Sequence, residues 1–139
     1  MPAPGNARTL TTVVSAYTFA WLAVYVPLET SVTVSIAGPG GLLFSAYIMN
    51  LMGMALMLWS AVAARRAQPT APGLLAAGWA WTAATFWRAT SDRFWWVSQG
   101  HALFAGPIEL WLGPALTILA LLGLLGSLIL VLNSPKSGG

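Results

Sequence analysis

No charged side chain interrupts the sequence from Leu110 to Leu132. Coiled as an α-helix at about 1.5 Å per residue, such a run is long enough to match a hydrocarbon core about 30 Å thick. In a soluble protein a helix that is apolar on every side must be wrapped completely by the rest of the fold. This chain cannot supply the wrapping. Only 6% of its 139 residues are charged, six basic and three acidic, and 58% are hydrophobic. Soluble domains carry about a quarter charged residues. A bilayer removes the need for a polar coat, because lipid solvates the apolar exterior while the helix satisfies its own backbone. The mean hydropathy of +0.75 agrees.

Four segments have the length and character of spans. They cover about residues 10–28, 42–63, 73–90 and 108–132. The breaks between them fall at Pro27-Leu28-Glu29, at Gly38-Pro39-Gly40-Gly41, at Arg65-Arg66 followed by Gln68-Pro69, and in the polar stretch after Thr90. The expected fold is therefore an all-α integral membrane domain, a single bundle of four antiparallel transmembrane helices. The first segment is longer than a signal-peptide core and lacks a small-x-small cleavage site, so it reads as a retained helix. Residues 91–107, with Phe94-Trp95-Trp96-Val97, read as a headgroup-level segment or as a cover over the bundle, since tryptophan rings favour the interface. The halves 1–66 and 67–139 share no aligned motif, which argues against an inverted-repeat transporter.

If all four segments cross, Arg8, Arg65, Arg66 and Lys136 share one side with no acid. Glu29, Arg88, Asp92, Arg93, His101 and Glu109 share the other. The positive-inside rule then places both termini in the cytoplasm. The formal charge of +3 does not imply nucleic acid, because the basic residues are scattered rather than clustered along a face.

Chemistry is sparse. With no cysteine and one histidine, the sequence offers no thiol chemistry, no metal-ligand set and no bis-histidine haem. No glycine-rich loop joins a strand to a helix, and no charge falls in the middle third of an expected span, where ion-coupled transporters usually keep one. Three groups of residues stand out. Glu29, Arg88, Asp92, Arg93, His101 and Glu109 form a polar set toward one membrane face, best read as helix-end anchors and ion pairs. Arg88 and Asp92 are spaced to pair on one helix side, and Glu109 opens its helix where a negative charge is favoured. Trp87, Trp95, Trp96 and Trp111 ring that set, a surrounding suited to an amphiphile headgroup, a quinone ring or a pigment. Ala76, Ala80 and Ala84 repeat every four residues and allow close helix approach, either within the bundle or toward a partner. Asn50, mid-span, calls for a hydrogen-bonding partner on another helix.

These features point to a non-catalytic accessory subunit of a larger membrane complex, respiratory or photosynthetic in kind, packed against partner helices and lipid, quinone or pigment. Two alternatives stand beside it. One is a small homo-oligomeric transporter or channel using Asn50 and the outer-face charges. The other is a lipid-modifying enzyme using Glu29, Asp92 or Glu109.

Overall fold

The structure, a computed structural model, describes residues 4–36, 42–103 and 106–134, with side chains placed over 8–31, 47–103, 106–108 and 110–134. These residues form four helices: α1 (Pro4–Ile36), α2 (Leu42–Arg65), α3 (Ala71–Ser98) and α4 (Ile108–Asn133). Each expected segment lies inside one of them. The glycine-rich break at 38–41 and Lys136 lie outside the described residues.

Two helices run further than the apolar pattern indicates. α1 continues through Pro27 and Glu29 to Ile36. Beyond the proline, Thr30 donates its hydroxyl hydrogen to the Val26 carbonyl at 2.7 Å and Ser31 to that of Leu28 at 2.9 Å. Folded back in this way, the two hydroxyls are satisfied within the helix itself. α3 continues through Arg88, Asp92 and Arg93 to Ser98. Its last turns, residues 91–98, are exposed throughout. Three helices are long and apolar enough to cross a membrane: α1 over Arg8–Ser31, α2 over Tyr47–Arg65 and α4 over Leu110–Asn133. α3 is not among them: even before Arg88 its Gly, Thr and Trp residues keep it less apolar than the other three.

Two helix ends use the same hydrogen-bond pattern with different residues. After α3, Gly100 N–H bonds to the Val97 carbonyl and His101 N–H to that of Trp96, with Gly100 at φ +82°. After α2, Ala67 N–H bonds to Ala64 and Gln68 N–H to Ala63, with Ala67 at φ +53°. Both are Schellman caps, which favour glycine at the left-handed position. Alanine there carries a penalty on the order of 1 kcal/mol from its Cβ. Ala67→Gly is therefore expected to raise stability by up to about that amount, partly offset by glycine's greater freedom in the unfolded chain. A thermal midpoint unchanged or lowered would contradict this.

The main packing is of α1 on α2 and α4 and of α3 on α2 and α4. The meeting points give the register. Ser15 bonds to Ala61 while Asn50 bonds to Glu29, so numbering falls along α2 as it rises along α1. Likewise Trp79 sits on Gly123 and Thr90 on Gly113. Two core clusters are stacked along the helices. One gathers Val14, Ala63, Ala64, Ala71, Leu75 and Leu130. The other centres on Trp21, Tyr25, Met57, Trp79, Phe86 and Ala120.

Trp79 is fully buried and ties three helices together. Its indole N–H donates to the Thr18 hydroxyl of α1 at 3.1 Å, and its ring stacks on Tyr17 at 5.1 Å. On the other side it lies against Gly123 of α4, where a Cβ would collide with the indole. Gly78 receives Met57 and Gly126 receives Val14 in the same manner. Glycine thus acts as a socket for a large side chain of the next helix, the arrangement small residues provide when helices approach closely.

Candidate polar cluster and aromatic slot

Glu29 is half-buried in α1 and accepts a hydrogen bond from Asn50 Nδ2 of α2 at 2.9 Å. Tyr25, one turn earlier on α1, is buried close to Glu29, and Arg93 of α3 lies within its electrostatic reach. Beside this group Thr30 and Tyr47 share a hydrogen bond of 2.8 Å. Three helices therefore bring a carboxylate, an amide, two phenols and a guanidinium to one end of the packed helices.

Directly beside the cluster is a slot between α2 and α3, floored by α1. Its aromatic walls are Trp21, Tyr25, Trp81 and Phe86, and Asn50 closes its polar end. Trp21, Tyr25 and Phe86 hold one another through ring contacts of 5.1–5.6 Å. Trp81 is different. It is 42% exposed and rests on Gly53, where a Cβ would come within 2.5 Å of its ring. The space within this half-open slot is about 10 Å³, about the room of one water.

Of the other polar residues expected to act together, Arg88 and Asp92 form an ion pair at 3.7 Å on the open surface of α3. Exposed pairs at this spacing contribute a few tenths of a kcal/mol at most, about 0.3–0.5. Arg93 donates to the Ala89 carbonyl at 3.1 Å. His101 stacks on Trp96 with ring centroids 4.1 Å apart, and Trp96 donates to the Ala102 carbonyl. The Glu109 side chain lies outside the described residues. The structure thus joins Glu29 to Asn50 rather than to Arg88, Asp92 or His101.

Trp87, Trp95, Trp96 and Trp111 are all exposed, Trp111 to 78%, and none of them lines the slot. Trp21, Tyr25 and Trp81 do, and the sequence reading passed over them in that role. A signal was present: Trp21, Tyr25 and Glu29 recur every four residues, so they share one face of α1.

Ala80 and Ala84 are exposed and Ala76 is half-buried. The buried residues of α3 are instead Leu75, Gly78, Trp79, Thr82, Ala83 and Phe86, among others. The exposed face has its own order. Gly73, Ala77, Ala80, Ala84, Trp87, Ser91, Phe94 and Ser98 alternate spacings of four and three along its whole length, and every one is exposed. That spacing keeps all eight on one face of α3. By contrast, the exposed face of α4 is mostly leucine and isoleucine, with Trp111 and Val131 beside them.

Among the described residues no group of His, Asp or Glu is placed to hold a metal ion. No protein family, no curated protein and no solved structure matches this chain.

Proposed function

We propose that the chain is an integral membrane protein whose four helices cross the bilayer as an antiparallel bundle, and that it serves as a non-catalytic subunit of a larger membrane assembly, docking through the outer face of α3. Arg8, Arg65, Arg66 and Lys136, on one side without an acid, support cytoplasmic termini by the positive-inside rule. A respiratory or photosynthetic complex is a fitting host for so small an apolar chain.

The outward face of α3 carries this reading. A helix packed between two apolar neighbours, yet itself too polar to face lipid all along its length, needs protein on its open side. Gly73, Ala77, Ala80 and Ala84 let a partner helix approach closely, which is what drives association where lipid is as apolar as leucine. Trp87 and Phe94 on the same face supply large contact area further along. The dense aliphatic surface of α4 (Ile118, Leu121, Leu122, Leu125) suits acyl chains instead.

Native mass spectrometry after gentle extraction from the source membrane tests the proposal. The expected result is a defined complex with other chains in fixed ratio. The paired change Ala80→Leu and Ala84→Leu, at exposed positions, is expected to release those chains while leaving the helix content and thermal midpoint of this one unchanged. Recovery of the wild-type chain alone would overturn the reading.

A further inference from the structure

The end of the packed helices opposite Glu29 carries an inference about lipid. It rests on the membrane reading above and not on the identity of any partner chain. Ser15 of α1 meets Ala61 of α2. Arg8 lies about 10 Å from that level and Arg65 about 6 Å, both in the same direction along the helices. Arg66 follows directly, and all three are exposed. The acids belong to the other end: Glu29 accepts from Asn50, Asp92 pairs with Arg88, and Glu109 opens α4. Among the described residues, the guanidinium groups of Arg8, Arg65 and Arg66 have no hydrogen bond and no ion pair.

Arg65 does not simply extend toward water. Its guanidinium carbon lies over the Phe19 ring, 4.4 Å from the centroid. Phe19 stands four residues past Ser15 on α1, so its Cα is about 12 Å further along the bundle than that of Arg65. Side chains of a helix tilt toward its N-terminus. α1 and α2 are antiparallel, so these two side chains tilt toward each other and meet between. The guanidinium is thereby drawn back along the apolar span of which Arg65 is the last residue. An aromatic ring attracts the charge but is a poor acceptor for five N–H donors.

A guanidinium drawn into a span is costly without an oxygen partner. At a membrane surface the strong acceptor is lipid phosphate, which the planar fork grips with two parallel hydrogen bonds. The neighbouring charges then choose the lipid. A headgroup ammonium would face Arg8 and Arg66 with no acid to receive it, whereas a headgroup of net negative charge is attracted by both.

We infer that this end holds one anionic phospholipid. Arg65, braced by Phe19, takes the phosphodiester, and Arg8 and Arg66 select a headgroup that carries no cation.

Native mass spectrometry of the full chain in mild detergent tests the inference, with dioleoyl phosphatidylglycerol or dioleoyl phosphatidylcholine titrated in. One phosphatidylglycerol per chain is expected, held several-fold more tightly than phosphatidylcholine. Arg65→Lys keeps the charge but loses the fork, and is expected to weaken binding about fivefold. Phe19→Leu removes the brace and weakens it about threefold. Arg66→Gln removes a charge and weakens it about fivefold, whereas Arg66→Lys leaves it unchanged. Arg88→Gln, at the other end, also leaves it unchanged. The arginines are exposed, so these variants keep the fold, which circular dichroism checks. Equal affinity for the two lipids overturns the inference, and so does binding indifferent to Arg65→Lys. Displacement of the lipid by inorganic phosphate would assign the arginines to the free ion and overturn it too. A chain that stays in solution without detergent ends the membrane reading and this inference with it. A chain that needs detergent yet shows no preference between the lipids ends this inference alone.

Discussion

Trp79→Ala is expected to destabilise the protein by about 3–5 kcal/mol, the usual range for deleting a large buried aromatic. Its thermal midpoint in detergent should fall accordingly. The indole is fully buried and touches α1 and α4 at once, through Thr18 and Tyr17 on one side and Gly123 on the other. Thr18 keeps a bond to the Val14 carbonyl at 2.8 Å, so the loss is a cavity rather than an orphaned polar group. In lipid the transfer part of that penalty shrinks, because acyl chains are as apolar as the core. The lost dispersion contacts remain, which favours the lower half of the range. Trp79→Phe gives up the hydrogen bond with less of the volume and should cost about 1 kcal/mol from that bond. Gly123→Ala presses on the same ring from α4 and should cost about 1–3 kcal/mol by overpacking. Because both changes act on one contact, Trp79→Phe with Gly123→Ala should fall short of the sum of the two singles. Strict additivity would mean that Gly123 is not the socket described here.

Much of the architecture is legible in the sequence because apolar length is a strong signal. All four segments appear as helices, and the clearest, α4, begins at the expected Ile108 and ends one residue beyond the expected Leu132. Helix ends are less legible where polar residues continue a helix by satisfying themselves. Thr30, Ser31 and the Arg88–Asp92 pair carry α1 and α3 past points where the apolar pattern stops. The role of α3 is harder still. Its small residues are visible as a row, but a row does not reveal which face is turned inward. Packing decides that: Trp79 and Phe86 claim the interior, and the alanines are left outside. Asn50 illustrates a partial reading. Its need for a partner follows from burying an amide among apolar side chains, whereas Glu29 as that partner depends on register between α1 and α2. A register of this kind is set by long-range contacts such as Ser15–Ala61 and is not written in local spacing.

Glu29→Leu is expected to cost about 1–3 kcal/mol, the penalty for leaving a partly buried donor without its acceptor. The Asn50 amide at 2.9 Å is that donor. Glu29→Gln retains an acceptor oxygen and should lose much less. The revealing comparison is the double change Glu29→Leu with Asn50→Leu. A single interhelical hydrogen bond in a membrane protein contributes only about 0.6 kcal/mol on average. Replacing both partners by apolar groups therefore forfeits little, whereas replacing one forfeits the desolvation of the other. The double variant should thus be more stable than either single variant and lie within about 1 kcal/mol of the wild type. Thermal or denaturant unfolding of the four proteins in one detergent measures this cycle. A double variant less stable than both singles would mean that Glu29 and Asn50 each hold other groups in place, Tyr25 foremost among them. Singles as stable as the wild type would remove the pair from the account of stability altogether. The carboxylate and amide would then be held together at no benefit to the fold, and their position at the mouth of the aromatic slot would be the feature left to explain them.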